Sequence, residues 1–463
     1  MKILQVNYFD SVGGAARIAW DLHCGYKSRG EDSSMAVDIK ASQDATVHVI
    51  PRLAPTIAPD RFLYQMGQRA EQWVERHGLV FGGKNIGRVL KKIPSYRHTW
   101  TKFLGREDFD FPGSWGLLQT TGKIPDIVHL HNLHNYYFDL RFLPTLSNSI
   151  PVFITFHDMW YLTGHCAHSF DCARWKDGCG SCPYLDTPPA IRKDASAYNW
   201  NRKKEIYAKS KLHLAFPSKW IMEKVKESIL APAVMDARVI HNGVDLSSFQ
   251  PGDKIKARLD LNLSPDAPVI LFVAANLNNN VFKDFPTIRN ALEIVSEQWA
   301  GKKITLIALG GDDLSSSIHI GNTEIIFAPY VSDVQKVAQY YQASDLYLHA
   351  ARADTFPNVV LEALACGTPV IATGVGGIPE QITDGETGFV VPPADFRAMA
   401  IKILYLLEDV EARTKISFAA AEDVKKRFGL DQMINGYLDY YQQVICDWQA
   451  QKTTPQLSPL TKL

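Results

Sequence analysis

The chain has 463 residues, of which 46% are hydrophobic and 21% are charged, so it is long enough for two or three domains with sizeable cores. Its 49 lysines and arginines balance its 49 aspartates and glutamates, which gives a formal net charge of zero. This balance argues against nucleic acid as a partner held by overall charge, because binding a polyanion needs a basic surface.

The chain begins with a predicted strand, a glycine turn and a helix. Ile3–Val6 forms the strand, Gly13 and Gly14 lie in the turn, and Ala15–Tyr26 has the apolar spacing of a helix. Two glycines before a helix N-terminus let backbone N–H groups approach an anion closely, although tight strand–helix packing would produce the same pattern. The opening run is too short for a secretory signal, and no apolar run reaches the roughly 20 residues of a membrane span. We therefore expect a cytoplasmic protein.

Basic and aromatic residues alternate over residues 88–106, among them Lys91, Trp100 and Lys102. This composition could rest on the inner face of a membrane or hold an anionic lipid carrier. A solvated helix over the domain would have the same composition, and we favour it. A peripheral membrane contact stays open.

Two buried strands then run into polar residues, the first into His131 and His134 and the second into His157 and Asp158. Ligands of open α/β sheets bind outside the carboxyl ends of the strands, so these side chains are predicted to lie at a ligand edge. A lone histidine in such a position is more often structural. Several histidines at adjacent strand ends favour a binding site.

Four of the seven cysteines, Cys166, Cys172, Cys179 and Cys182, lie close together in the sequence, with five, six and two intervening residues. Four thiolates could bind a structural zinc ion, and the last pair has the commonest ligand spacing. The whole pattern matches no standard zinc finger, and cytosolic thiols could equally stay reduced. Both alternatives remain open.

The second half of the chain alternates strands and helices after an Asn-Gly pair at Asn242 and a Pro-Gly pair at Pro251, which we take as the domain boundary. Such alternation predicts a parallel, doubly wound sheet with right-handed crossovers. The predicted strands are residues 269–274, 304–309, 324–327, 345–349 and 370–373, and the predicted helices are residues 285–297, 332–342 and 358–365.

The densest pattern lies around Asp354, which stands in a loop before a helix that carries Glu362. Asn358 is predicted to cap the start of that helix. A strand follows the helix and leads into the turn at Gly376 and Gly377. Two carboxylates beside a glycine turn suit hydroxyls and phosphates together, as in a nucleotide-sugar. A structural partner for Glu362 is the plainer alternative, because a desolvated carboxylate needs hydrogen bonds.

This order of loop acid, helix acid, strand and glycine turn resembles the donor-site signature of the retaining glycosyltransferases of family four, which have the GT-B fold. The family pattern is Glu, seven residues, Glu, then Ala-x-Ala-x-Gly-x-Pro-Val, and Asp354 stands where the first Glu is usual. The resemblance implies an α/β fold of two Rossmann-like, doubly wound parallel-sheet domains facing a central cleft. Residues 1–250 would form the acceptor-side domain and residues 251–430 the donor-binding domain, with a helix at 431–449 packing back on the first domain and a mobile tail at 451–463.

The resemblance also implies the reaction. A sugar would pass, with retention of its anomeric configuration, from a UDP- or GDP-sugar to a hydroxyl of a glycan or lipid-linked acceptor, in cell-surface or extracellular polysaccharide synthesis. No cofactor would be required if a lysine and backbone dipoles carry the phosphate charge. Relatives also place an arginine where this chain has Asn276, and Arg352 could replace it. One alternative is a degenerate GT-B protein that binds a glycan or a partner without turnover. The other is a nicotinamide dehydrogenase, but this chain lacks the Gly-x-Gly-x-x-Gly motif of that class after its first strand.

The resemblance assigns roles to individual residues. His157 would approach the transferred sugar, Asp354 would meet its hydroxyls, and Lys283 would face the diphosphate, whose charge must be stabilised. Glu362 would accept the ribose hydroxyls. The remaining donor-binding residues would be Phe356, Asn358, Val359, Gly376, Gly377, Tyr330, Val331, Asn276, Gly13 and Gly14, and the acceptor-side residues would be His131, His134 and Asp158.

Overall fold

The computed structural model describes residues 1–51, 62, 65–70, 72, 100–274, 280–310 and 317–453. The chain forms two compact units, which we call unit 1 and unit 2. Unit 1 comprises Met1–Phe216, Met222–Arg238 and the chain from Tyr437 on, and unit 2 comprises Pro217–Ile221 and Val239–Gly436. Asn276, the tail beyond Thr453 and most of the basic segment 88–106 lie outside the described residues.

Unit 1 is built on a sheet of seven strands in the order β3-β2-β1-β4-β5-β6-β7. The strand pairs from β3 to β6 are parallel. All four residues of β4 and of β5 are buried, as expected for central strands covered on both faces. The strands are β1 Lys2–Phe9, β2 Asp32–Ile39, β3 Val47–Val49, β4 Ile127–Leu130, β5 Val152–Thr155, β6 Leu212–Phe216 and β7 Val234–Val239.

Helices and short 3₁₀ turns connect these strands. The first helix buries Ile18, Ala19 and Leu22, which recur at the spacing of one helix face. The helices are Gly14–Ser28, Leu143–Ser149, Ser196–Tyr207 and Lys219–Lys226, and the 3₁₀ turns are Pro112–Gln119, Leu140–Phe142, Trp160–Leu162 and Ala231–Ala233.

The last helix, Leu430–Thr453, begins in unit 2 and ends in unit 1. Within unit 1 its tyrosines are buried and hydrogen-bonded to the central strands. The hydroxyl of Tyr437 lies 2.7 Å from Oγ1 of Thr155, and that of Tyr441 lies 2.6 Å from Nδ1 of His129. These contacts bury the phenol rings without leaving their hydroxyls unpaired.

Unit 2 has a second seven-stranded sheet in the order β10-β11-β9-β8-β12-β13-β14. Every pair is parallel except the antiparallel edge pair β10–β11. Two hydrophobic clusters, drawn from the strands and the helices that cover them, form its core. The strands are β8 Val269–Val273, β9 Ile304–Leu309, β10 Ile318–Ile320, β11 Thr323–Ala328, β12 Leu346–His349, β13 Val370–Thr373 and β14 Gly388–Val391, and the helices are Lys254–Asp260, Phe285–Gln298, Val334–Ala343, Asn358–Ala365, Ile378–Gln381, Phe396–Glu408 and Val410–Arg427.

The predicted α/β class with two doubly wound parallel sheets is confirmed. The units divide between Arg238 and Val239, whereas the boundary was predicted near Pro251. The residues after β7 belong to unit 2 because Val244 exchanges backbone hydrogen bonds with Phe428 and Leu430 (2.9 and 3.0 Å). Among the described residues, no helix is long and apolar enough to cross a membrane.

Candidate active site

The polar cluster of unit 2 lies where β12 ends. Nζ of Lys283 donates to Oδ2 of Asp354 at 2.8 Å and lies 3.3 Å from Nε2 of His349, the last residue of β12. Lys283 is placed there by a bridge between its backbone and that of Ala351. The side chains of Lys283 and Asp354 are 13% and 22% exposed, so a ligand can reach both.

The charges in this cluster support one another. Burial alone would raise the pKa of Asp354, but Lys283 and His349 lower it below its ordinary value. Burial and the adjacent Lys283 lower the pKa of His349 to about 4. At neutral pH the carboxyl group of Asp354 is therefore ionised and the imidazole of His349 is neutral.

A row of tyrosines leads from this cluster to Glu362. The hydroxyl of Tyr347 lies 3.0 Å from Nδ1 of His349, and its ring packs edge-on against Tyr341 with centroids 5.5 Å apart. The hydroxyl of Tyr341 donates to Oε2 of Glu362 at 2.9 Å. This bond orients the carboxylate that the resemblance assigns to the ribose.

Asn358 does not cap its helix, so that prediction is wrong. The helix begins at Asn358 itself, after Pro357, and has no side-chain cap. The reason is a competing partner: Oδ1 of Asn358 accepts from Nδ2 of Asn242 at 3.0 Å. The neighbouring Phe356 is buried and stacks on His241, with centroids 5.2 Å apart and planes 13° apart.

The glycine turn after β13 packs directly on the loop of Asp354. Gly376 has φ +58°, and a Cβ built there would lie 1.7 Å from the carbonyl oxygen of Asp354, so only glycine fits. The N–H of Gly377 donates to the carbonyl of Thr355 at 3.0 Å. The turn thus holds the loop that carries Asp354.

The other residues assigned to the donor lie at several places. Tyr330, after β11, is 71% exposed, whereas Val331 and Val359 are half-buried against the core of unit 2. In unit 1, Gly13 has φ +97°, and an added Cβ at Gly13 or Gly14 would meet nothing within 4 Å. Close strand–helix packing is therefore not the reason for these two glycines.

The histidines of unit 1 meet at the ends of β4 and β5. Nδ1 of His131 lies 2.9 Å from Nε2 of His157. Nε2 of His134 lies 3.0 Å from Oδ2 of Asp158, whose other oxygen accepts from the N–H of Trp160 at 2.8 Å. The four side chains that were predicted to lie at one ligand edge thus form two pairs.

The two pairs differ in charge. Burial lowers the pKa of His157 to about 4 and that of His131 well below its ordinary value, so both rings are neutral. Burial would also lower the pKa of His134, but the carboxylate of Asp158 raises it overall. Unit 1 therefore places one neutral imidazole pair beside one ion-paired histidine.

A buried lysine–carboxylate pair lies beside these histidines. Nζ of Lys203 lies 3.1 Å from Oε2 of Glu107, and Nε1 of Trp160 donates to the other oxygen of Glu107 at 2.6 Å. Glu107, His134 and Trp160 line one small cavity of about 20 Å³, which is room for one water molecule.

The cysteine cluster lines another cavity of about 20 Å³, together with His165. Nε2 of His165 lies 3.3 Å from Sγ of Cys182. Burial raises the pKa of Cys166 to about 12 and that of Cys179 to about 11, which favours protonated thiols. Within the described ranges, no three His, Cys, Asp or Glu side chains are placed to hold a metal ion, so the arrangement does not fit the structural zinc suggested for Cys166, Cys172, Cys179 and Cys182.

Sequence reasoning missed His349, Tyr341 and Lys203. His349 could have been predicted as a site residue, because it is the last residue of a buried strand. His131, which was predicted, directly follows such a strand. Tyr341 and Lys203 carried no local signal: their partners lie 21 and 96 residues away in the sequence. Arg352 is held through its backbone N–H, which donates to the carbonyl of Phe282 at 2.8 Å.

Solved structures share the fold of this chain over nearly its whole length. Sucrose-phosphate synthase from Thermosynechococcus elongatus superposes with a TM-score of 0.61 at 17% identity, covering 96% of this chain and 99% of that one. HepE from Anabaena in complex with UDP superposes with a TM-score of 0.60 at 15% identity, covering 96% and 100%. The two units therefore form the GT-B fold.

Family models match both units. Glycosyltransferase Family 4 matches residues 12–248, and Glycosyl transferases group 1 matches residues 267–409. Over 461 residues the chain is 24% identical to WcaC of Escherichia coli K12, which carries the name of a colanic acid biosynthesis glycosyl transferase; the match covers 96% of this chain and all of WcaC. The chain belongs to glycosyltransferase family 4 and is a glycosyltransferase.

Proposed function

We propose that this glycosyltransferase is a retaining hexosyltransferase that moves a sugar from a UDP- or GDP-sugar to a hydroxyl of a glycan or lipid-linked acceptor. The observation that carries the proposal is the Lys283–Asp354–His349 cluster beside the Gly376 turn. It offers one cation for a diphosphate and one carboxylate for sugar hydroxyls within a single hydrogen-bonded group.

Each site has a part in the proposed reaction. Unit 2 holds the nucleotide-sugar, with Glu362 on the ribose, Asp354 on the sugar and Lys283 on the diphosphate. Unit 1 holds the acceptor near His134 and Asp158, and His157 contacts the transferred sugar. The bond from the anomeric carbon to the phosphate oxygen breaks, its electron pair stays on the diphosphate, and the acceptor oxygen bonds to the same face while its proton passes to the leaving phosphate.

The donor class is supported by HepE, which has been solved with UDP and with UDP-glucose. A role in cell-surface or extracellular polysaccharide synthesis is supported by the name of WcaC. We expect turnover to survive treatment with EDTA, because Lys283 supplies positive charge to the leaving diphosphate.

The test is a panel of UDP- and GDP-sugars, incubated with the purified full chain and followed by release of nucleoside diphosphate. Proton NMR of the product then reports the anomeric configuration. Release from one donor with a retained anomeric configuration supports the proposal. Nucleotide binding without release from any donor would favour the alternative, a degenerate GT-B protein that binds without turnover.

A further inference from the structure

Three side chains of unit 1 form a hydrogen-bonded row from the core of the sheet to His157. Oε1 of Gln5, on β1, lies 3.0 Å from Nε2 of His131, and Nδ1 of His131 lies 2.9 Å from Nε2 of His157. Gln5 and His131 are 0% exposed, and the two imidazole rings stack with centroids 5.2 Å apart. The row links a fully buried amide to the residue that we place against the sugar.

Each hydrogen bond in this row fixes the next. The Gln5 amide is oriented with Oε1 toward His131, which leaves its Nε2 buried without a hydrogen-bond partner among the described residues. With the amide in this orientation, Nε2 of His131 carries a hydrogen, because an amide oxygen can only accept. Burial and the nearby His129 and His157 lower the pKa of His131 well below its ordinary value, so its ring is neutral and its Nδ1 has only a lone pair. Nε2 of His157 must therefore donate to that lone pair. Because the ring of His157 is neutral as well, its Nδ1 is left as an acceptor.

The orientation of the Gln5 amide selects this arrangement. If the amide nitrogen faced His131 instead, every hydrogen bond in the row would reverse, and Nδ1 of His157 would become a donor. The two settings present opposite hydrogen-bonding groups from His157 to a ligand. They are also two different tautomers, which can be told apart by measurement.

We propose that Gln5 is a positioning residue for sugar transfer: through His131 it holds His157 in the Nε2–H tautomer, so that Nδ1 of His157 accepts a hydrogen bond from a hydroxyl of the transferred sugar. This inference rests on the proposed function, in which His157 contacts that sugar. An acceptor that is fixed in place favours binding of a sugar that has a hydroxyl at the contacted ring position. The row therefore also contributes to the choice of donor.

The first test reads the tautomer of His157 without any substrate. The full chain is labelled with ¹⁵N-histidine, and His157 is assigned by comparison with His157→Gln. We expect Nδ1 of His157 to give the signal of a nitrogen with a lone pair and Nε2 that of an N–H. In Gln5→Met, which has similar volume but cannot accept this hydrogen bond, both tautomers should appear. An Nδ1–H form in the unaltered protein overturns the proposal, even if Gln5→Met does not fold.

The second test reads the sugar contact through kcat/KM, using whichever nucleotide-sugar the protein turns over and its single deoxy analogues. Gln5→Met should lower kcat/KM about tenfold for the full donor, which is the scale of one hydrogen bond. For the deoxy donor that lacks the contacted hydroxyl, Gln5→Met should change nothing. Equal losses for all donors would overturn the sugar contact.

Thr155→Val is the matched control for both tests. It removes two buried hydrogen bonds of 2.7 Å, one to His129 on the neighbouring strand and one to Tyr437, but leaves the Gln5–His131–His157 row intact. We expect it to keep the tautomer and the rate of the unaltered protein. A loss as large as that of Gln5→Met would mean general loosening of the sheet and would overturn the proposal. If the unaltered protein turns over no donor, the proposed function fails, whereas the tautomer test still decides the role of Gln5 in the row.

Discussion

A lysine–carboxylate pair lies near the polar strand ends of each unit, and the hydrogen-bonding partners of the two lysines differ. In unit 1, the side chains of Lys203 and Glu107 are 0% and 9% exposed. Lys203 donates to Glu107 at 3.2 Å and to the carbonyls of Trp160 and Thr163 at 2.9 and 3.1 Å. These three bonds use all three donors of its ammonium group.

In unit 2, Lys283 has only Asp354 and the neutral ring of His349 as side-chain partners among the described residues, and the pair remains partly exposed. The difference separates a structural pair from one that can bind a ligand. A buried ammonium with every donor occupied holds its surroundings in place. An ammonium with an unfilled donor can reach for a phosphate without first losing a bond.

The largest expected effect is on the folding of unit 1. Lys203→Met should lower the free energy of unfolding by about 3–5 kcal/mol, because it leaves the Glu107 carboxylate buried without its counter-charge. Urea unfolding followed by tryptophan fluorescence measures the loss. Lys283→Met, at the partly exposed pair, should cost far less. Similar losses for the two variants would contradict the division between the pairs.

The second expected effect is on turnover through unit 2. Lys283→Ala should lower kcat roughly 10²–10³-fold, the scale of losing one preorganised stabiliser of developing charge. Diphosphate release from the donor identified in the panel measures it. Lys303→Ala is the control, because Lys303 also pairs with a carboxylate, Glu324, at 2.8 Å, but on the exposed surface. Near-normal turnover in Lys283→Ala would remove Lys283 from the proposed reaction.

Most of the fold could be predicted from the sequence because its signals are local. Buried runs such as the one over residues 269–274 became the strand Val269–Val273, and the helix predicted over residues 358–365 has those bounds. His131 and His157 were likewise predicted to lie at one edge, because neighbouring parallel strands end at the same edge of the sheet.

The missing parts of the site depend on distant pairs. Lys203 and Glu107 are 96 residues apart, and Gln5 and His131 are 126 apart, so neither pair forms a motif. Asn358 was mistaken for a cap for the same reason: its partner, Asn242, lies 116 residues earlier. Residue type and spacing show which side chains can form hydrogen bonds, whereas the fold determines which partner each side chain contacts.

A third effect concerns pH, because buried neutral histidines occur in both units. The pKa of His129 is lowered to about 3 and those of His157 and His349 to about 4, in each case by burial first. Below the ordinary value of about 6.5 the unfolded chain binds protons that the folded chain does not, so stability falls as pH drops from 6.5 toward 4.

Each of these histidines should contribute a slope of about 1.4 kcal/mol per pH unit in that window. Urea unfolding at several pH values measures the slope. His129→Gln removes one titrating group and should reduce the slope by about that amount, whatever it does to stability at pH 7. An unchanged slope would show that His129 is protonated in the folded protein.

The smallest expected effect tests how the last helix is held in unit 1. Tyr437→Phe removes the hydroxyl that lies 2.7 Å from Oγ1 of Thr155 and keeps the ring. We expect the free energy of unfolding to fall by about 1 kcal/mol, the net value of one buried hydrogen bond. Tyr405→Phe is the control, because Tyr405 is 42% exposed and its hydroxyl can bond to water. Since Thr155 also bonds to His129, a loss well above 1 kcal/mol would mean that the helix supports the polar strand ends of unit 1 as well.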